Sequence, residues 1–156
     1  MNKCIVDIET DSLDATKLHC IVAKDIQTNE VSSWQGEECK NFISWSDKYD
    51  QLVMHNGINF DAYWLNKLLG MKIKLSKIED TLIMSQLYNP IRSDGHSLKA
   101  WGERLKMPKG DVDSFEHYTP AMLEYCKQDV NITSKMYSVL LEEGKKFSTK
   151  SKLLEY

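Results

Sequence analysis

The run Cys4-Ile5-Val6-Asp7-Ile8-Glu9-Thr10 constrains this chain more than any other segment. Its β-branched apolar residues read as a buried strand, and Asp7 and Glu9 interrupt it. Side chains alternate along a strand, so both carboxylates face one side of the sheet. Charges in an apolar strand are costly unless they are paired or bind a metal. The Asp-x-Glu spelling is cheap, because 23 acidic residues in a chain of 156 give about one such pair by chance. Its place in the strand carries the weight, and the bland alternative is a strand end turning into solvent.

The rest of the chain alternates. Strands are expected over 18–26 and 30–34, joined by a turn at Gln27-Thr28-Asn29. A short helix suits 37–45, and 51–54 reads as a second buried strand that ends at His55-Asn56-Gly57. Helices are expected over 61–69 with a stop at Gly70, over 80–88 with Asp80 near the N-cap, and over 96–105. A polar loop covers 108–118, and Thr119-Pro120 opens a long helix that should stop at Gly144. A meander followed by alternating helices and strands implies an α/β fold, a mixed sheet flanked by helices. One domain, residues 1–144, is expected, with a loose basic C-terminal tail over 145–156.

Two further segments carry carboxylates. Asp61 closes His55-Asn56-Gly57-Ile58-Asn59-Phe60-Asp61, which follows a strand and opens a helix, at the end of a sheet where ligands gather. It fits a plain helix N-cap equally well. Tyr125 and Asp129 lie four apart inside the long helix and so share one face. Asp is a poor residue for a helix interior unless something needs it, and a bland amphipathic helix is the alternative. Together the three segments can supply one pocket. Oxygen ligands without Cys/His ligation point to Mg²⁺ or Mn²⁺, and carboxylates around two such ions suit in-line displacement at a phosphodiester.

Composition agrees with a globular domain: 42% hydrophobic and 28% charged residues, with no stretch of the ~18 apolar residues a membrane span needs. The N-terminus lacks the apolar h-region of a signal peptide, so a cytoplasmic protein is expected. Four cysteines at 4, 20, 39 and 126 show no metal-binding spacing and read as reduced and structural. A net charge of −3 argues against coating nucleic acid by charge alone, although a cluster of metal ligands lowers the formal charge and bound cations would restore it. Lys67, Lys72, Lys74 and Lys77, and then Lys99, Arg104, Lys106 and Lys109, form two basic groups that serve equally as solvated helix faces.

The order of motifs resembles the DEDD (DnaQ-like) 3′→5′ exonuclease superfamily. Val6 to Thr10 resembles its first motif, His55 to Asp61 its second, and Tyr125 to Asp129 its third in the tyrosine form. The nearest likeness is to the N-terminal proofreading domain of T-odd bacteriophage family A DNA polymerases. Lys17-Leu18-His19-Cys20, Asp80-Thr81-Leu82 and the stretch His96 to Leu105 resemble segments of that domain, and the likeness runs from Lys3 to about Leu141. Asn56 precedes Asp61 by five residues, the wider spacing of phage-type members. The resemblance implies a ribonuclease H-like fold and two-metal removal of nucleotides from a 3′ end. It implies that Asp7, Glu9 and Asp129 hold the ions, that Asp61 holds the second largely through water, and that Tyr125 orients the attacking water. Thr10 and Asn56 would contact the terminal nucleotide or shape its pocket.

The expectation is a free-standing, phage-like enzyme acting on single-stranded DNA 3′ ends, with no membrane and room for a polymerase partner. Phe60, Tyr63 and Trp64 are candidates for base stacking, although each could equally be core. Two alternatives stay open: an exoribonuclease of the same fold, and a non-catalytic nucleic-acid-binding or polymerase-accessory module.

Overall fold

The first strand, β1 (Lys3–Thr10), is the middle strand of a five-stranded sheet. β2 (Leu18–Asp25) and β3 (Val31–Gln35) extend it as an antiparallel meander, and β4 (Gln51–Met54) and β5 (Ile78–Asp80) add in parallel on the other side, giving the order β3-β2-β1-β4-β5. The computed structural model describes residues 1–154, with side chains to residue 146.

Alternation along β1 sorts its side chains between two cores. Cys4, Val6 and Ile8 pack with Ala62, Trp64 and Leu65 of α2 (Asp61–Leu69). Ile5 faces the other way, onto Cys126, Val130 and Tyr137 of α5 (Pro120–Leu154). Asp7 and Glu9 continue the row that Ile5 begins, toward α5. A third cluster joins Leu98 and Trp101 of α4 (Leu98–Arg104) to Ile132, Met136 and Leu140 of α5. The long helix thus spans one face of the sheet, and α3 (Thr81–Tyr88) packs beside it.

The expected helix over 37–45 is split. A 3₁₀ segment covers Gly36–Asn41, and only Phe42–Trp45 is α-helical, as α1. Edge-to-face contacts of Trp34 with Phe42 and with Trp45 fix this corner. β5 was not anticipated, because its three residues hold one apolar side chain and no period can be read from them.

The long helix does not stop at Gly144 but runs to Leu154, the last described position of the expected tail. Gly144 is there for a different reason from a helix stop. A Cβ at that position would lie 3.1 Å from the Tyr88 ring, so the glycine lets α3 close on α5. Gly70, by contrast, does end α2 in the left-handed region, at φ 70°.

Candidate active site

The cleft opens where strands part. β1 and β4 pair only from Lys3↔Gln51 to Ile5↔Val53, so β1 beyond Ile5 has no strand paired with it on that side among the described residues. Asp61, the first residue of α2, takes up one freed group: Ile8 N–H donates to its Oδ2 at 3.2 Å. A register slip against β2 between Glu9 and Thr10 then turns the strand end, as bulges beside active sites do. Asp7, Glu9, Asp61, Tyr125 and Asp129 line one open cleft of about 290 Å³, with Asn56, Phe60 and Lys109 at its walls.

Thr10 is not in that cleft. It is buried, its hydroxyl donates to Ser12 O at 2.8 Å, and it lines an adjoining hollow of about 320 Å³ together with Phe60, Leu13 and Phe115. The three stacking candidates separate. Phe60 lines both spaces, Trp64 is core at 5% exposure, and Tyr63 is exposed on α2 with its ring edge-on to Trp64.

Four carboxyls this close cannot all ionise without help. Burial, then repulsion from Asp129, Asp61 and Glu9, pushes Asp7 well above the usual range. Burial followed by Asp129 raises Glu9 to about 8. Asp61 rises to about 8 through burial, against the Ile8 hydrogen bond that lowers it. Asp129 rises to about 6, again by burial, with the Lys109 ammonium holding it down. Lys109 Nζ lies 3.5 Å from Asp129 Oδ2, while Asp129 Oδ1 is buried with no partner among the described residues.

That orphaned oxygen, in a cluster of acids forced upward, is what a site built for divalent cations should show. The donor set fits hard ions, because four carboxyls line the cleft. Ligand atoms of Asp7, Glu9 and Cys126 lie within 4.8 Å of one another, but the thiol is not a counterpart to the acids. Burial holds Cys126 well above its ordinary value, and its Sγ donates to Asp7 Oδ2 at 3.3 Å. It supports Asp7 from beneath. All four cysteines are free and buried.

Tyr125 stands one turn before Asp129 on α5, half-buried, with its ring edge-on to Phe115. Burial raises its phenol, so at neutral pH it keeps its proton. Lys109 sits 5.0 Å from the ring centroid.

The segment ahead of Asp61 is held by a residue whose reach was not foreseen. Asp80 does cap α3, accepting from Leu82 N at 3.0 Å. The same buried carboxylate also accepts from Asn56 N at 2.9 Å and Ile58 N at 3.1 Å. This clamp places Asn56 in the left-handed region at φ 59° and turns the chain toward Asp61. Gly57 is required inside the turn, since a Cβ there would lie 2.3 Å from Met54 Cβ.

Lys109 was also read as one of a solvated group. The signal that could have separated it is its setting. Gly102 lets the backbones of Met107 and Lys109 approach α4, and Gln128, the neighbour of Asp129, donates to Pro108 O at 3.2 Å. The polar loop is thereby tied to the helix that carries the site.

The chain is 25% identical to the DNA-directed DNA polymerases of Escherichia phage T7 and Enterobacteria phage T3, over 186 aligned residues that cover 89% of this chain. It spans 26% of the length of those relatives. No protein-family model matches it. Among solved structures, the family B DNA polymerase of Pyrobaculum calidifontis superposes with a TM-score of 0.67 at 15% identity, over 90% of this chain and 24% of that one. The catalytic core of RRP6 from Trypanosoma brucei gives 0.64 at 15% identity, over 90% and 42%. The nuclease domain of 3′hExo, a DEDDh family member bound to rAMP, gives 0.51 at 15% identity, over 88% and 92%. The mixed sheet with its flanking helices is the ribonuclease H-like fold that these solved structures share.

Proposed function

We propose that this chain is a 3′→5′ exonuclease of the tyrosine subclass that removes nucleotides from single-stranded DNA ends in a cytoplasm, with residues 1–144 as the catalytic domain. The observation that carries the reading is the convergence of Asp7, Glu9, Asp61 and Asp129, from three separate elements, on one cleft where burial raises all four and neighbouring carboxylates raise Asp7, Glu9 and Asp61 further. The likeness to phage DNA polymerases supports DNA as substrate and leaves room for a polymerase partner.

Asp7, Glu9 and Asp129 would hold two Mg²⁺ or Mn²⁺ ions, with Asp61 reaching the second largely through water. The ions would supply charge neutralisation at the scissile phosphate and a more acidic attacking water. Tyr125, which keeps its proton, accepts and donates hydrogen bonds and so orients that water rather than deprotonating it. Attack at phosphorus, in line with the leaving 3′ oxygen, releases one 5′-mononucleotide and a strand one residue shorter with a new 3′-hydroxyl. Lys109 offers a fixed positive charge beside Asp129 that can meet a non-bridging phosphate oxygen. Phe60 offers a ring to the terminal base, and Asn56 a polar side chain at the cleft wall.

A second reading, removal of ribonucleotides, is favoured by the fold likeness to a nuclease domain bound to rAMP. DNA and RNA oligomers of one sequence, digested side by side, separate the two, because one contact to a 2′-hydroxyl decides between them. Faster trimming of the DNA strand supports the first reading, and faster trimming of RNA the second.

A further inference from the structure

One side chain beneath the acidic cleft is foreign to a site for hard ions. Cys126 lies on α5 between Tyr125 and Asp129, fully buried against Asp7. Its Sγ is 3.3 Å from Asp7 Oδ2, and ligand atoms of Asp7, Glu9 and Cys126 all lie within 4.8 Å of one another. Toward Mg²⁺ or Mn²⁺ the thiol stays a hydrogen-bond donor, because these ions take oxygen ligands. A soft ion meets a different set of donors, with sulfur among them.

Two elements hold those donors at fixed spacing. Asp7 and Glu9 are two apart in β1 and project from one face of the strand. Cys126 and Asp129 are three apart in α5 and are neighbours on the helix surface. A tetrahedral zinc ion bonds sulfur at about 2.3 Å and carboxylate oxygen at about 2.0–2.2 Å, which sets the two donors about 3.6 Å apart. The 3.3 Å between Cys126 Sγ and Asp7 Oδ2 is already close to this, and the 4.8 Å bound on the cluster leaves roughly 1 Å of side-chain closure. A separate observation supplies the fourth donor. Asp129 is 3% exposed, and its Oδ1 has no hydrogen-bond partner among the described residues, in the cleft that Asp7 and Glu9 also line.

We propose that Asp7, Glu9, Cys126 and Asp129 form a binding site for one thiophilic divalent ion, zinc or cadmium, which shuts the cleft to the ions of hydrolysis. The ion takes the place of the thiol proton: the S–H bond breaks, a sulfur–metal bond forms, and the proton passes to water. Four protein donors complete the sphere of a structural zinc, whereas a catalytic zinc keeps one position for water. The bound ion therefore occupies the carboxylates and presents no water for attack. That consequence for cleavage rests on the exonuclease reading, and the binding does not.

The test measures binding, with Cd²⁺ as the probe, because a sulfur–cadmium bond absorbs in the ultraviolet and reports its ligand directly. The full chain, free of metal and with reduced thiols, is titrated with CdCl₂ and followed by this charge-transfer absorption. The wild type gives a band that saturates at one ion per chain, and Mn²⁺ moves the titration to higher Cd²⁺ because it competes for the same carboxylates. Cys126→Ser, which keeps a donor toward Asp7, gives no band and binds Cd²⁺ at least about tenfold more weakly, with a smaller loss for Mn²⁺. Asp7→Ala keeps the thiol and also weakens Cd²⁺ at least about tenfold, an independent reading if the serine variant does not fold. Cys20, the buried thiol paired across from Glu9 in β2, is the control, and Cys20→Ala keeps the band. No band in the wild type, an undiminished titration in Cys126→Ser or Asp7→Ala, or a band lost in Cys20→Ala alone overturns the proposal. A band with the expected dependences in a protein that cleaves nothing in Mn²⁺ would fault the exonuclease reading and leave the site standing.

Discussion

The Lys109 ammonium sits 3.5 Å from one oxygen of Asp129, while the other oxygen of the same carboxylate is buried with no hydrogen-bond partner among the described residues. One side of Asp129 is therefore charge-compensated within the chain, and the other is kept for something outside it. Removing Lys109 raises the Asp129 carboxyl further, because the ammonium is what holds it down against burial. Lys109→Ala should cut the rate at neutral pH roughly 10-fold, about one unit of pKa, and recover part of the loss at alkaline pH. Lys109→Arg, which keeps the charge, should fall less. A pH–rate profile of the three proteins checks this, and overlapping profiles would remove Lys109 from the mechanism.

The Tyr125 phenol keeps its proton and has the Lys109 ammonium, another cleft residue, as its polar neighbour, so its loss should act on the reaction and not on the fold. Tyr125→Phe should slow turnover roughly 10- to 1000-fold with the melting temperature unchanged. Single-turnover rates beside thermal melts decide it. An unchanged rate would reduce the residue to a packing partner of Phe115.

Asp80 satisfies three backbone donors from a buried position. Asp80→Ala strands all three, at roughly 1–3 kcal/mol for each group left without a partner, and should cost activity along with stability because Asn56 and Asp61 hang from that turn. Asp80→Asn, which keeps acceptor capacity at one oxygen, should be the milder change. Urea unfolding read alongside nuclease rates makes the comparison. Full stability in Asp80→Ala would contradict the clamp.

Much of this architecture could be read from residues alone. β4 and α2 fall where a short apolar run and helical spacing place them, since strong apolar patterns and the stop at Gly70 speak locally. That Asp7, Glu9, Asp61 and Asp129 line one cleft was legible from charge in an apolar strand for Asp7 and Glu9, from a strand-to-helix junction for Asp61, and from an Asp inside a helix for Asp129. What was not legible is what depends on distant partners. Asp80 reads as an N-cap, and its hold on Asn56 and Ile58 exists only once β5 lies beside β4. Lys109 reads as one lysine among several until the loop folds back onto α5. Gly144 carries the spelling of a helix stop, and only the Tyr88 ring shows that it is a place of close approach. Thr10 resembles the last residue of the first motif, but it follows Glu9 by one position in β1 and so falls on the other face of the strand, outside the cleft.

The raised carboxyls also set how stability changes with pH when no divalent cation is bound. Glu9 and Asp61 at about 8 and Asp129 at about 6 lie above ordinary carboxyl values, so the folded chain binds more protons than the unfolded one between about pH 4 and 8. Their contribution is full below the ordinary range and is lost as pH rises through the folded values. In EDTA, the melting temperature should therefore fall from about pH 4 toward 8. Asp7→Ala should flatten that slope and raise the melting temperature at pH 8 by roughly 2–4 °C for each kcal/mol of repulsion relieved. Mg²⁺ or Mn²⁺ should stabilise the wild type and do little for the variant. Melting temperatures that rise with pH in EDTA would contradict the crowding of the cluster.

The most direct test of the central claim is digestion of a 5′-labelled single-stranded DNA oligomer by the wild-type chain, resolved nucleotide by nucleotide, in Mn²⁺ and in EDTA. The account predicts a ladder shortening one residue at a time from the 3′ end, present with the metal, absent in EDTA and absent for Asp129→Ala. A strand left intact in Mn²⁺ by folded protein, cleavage that starts at internal positions, or an undiminished ladder in EDTA would contradict it.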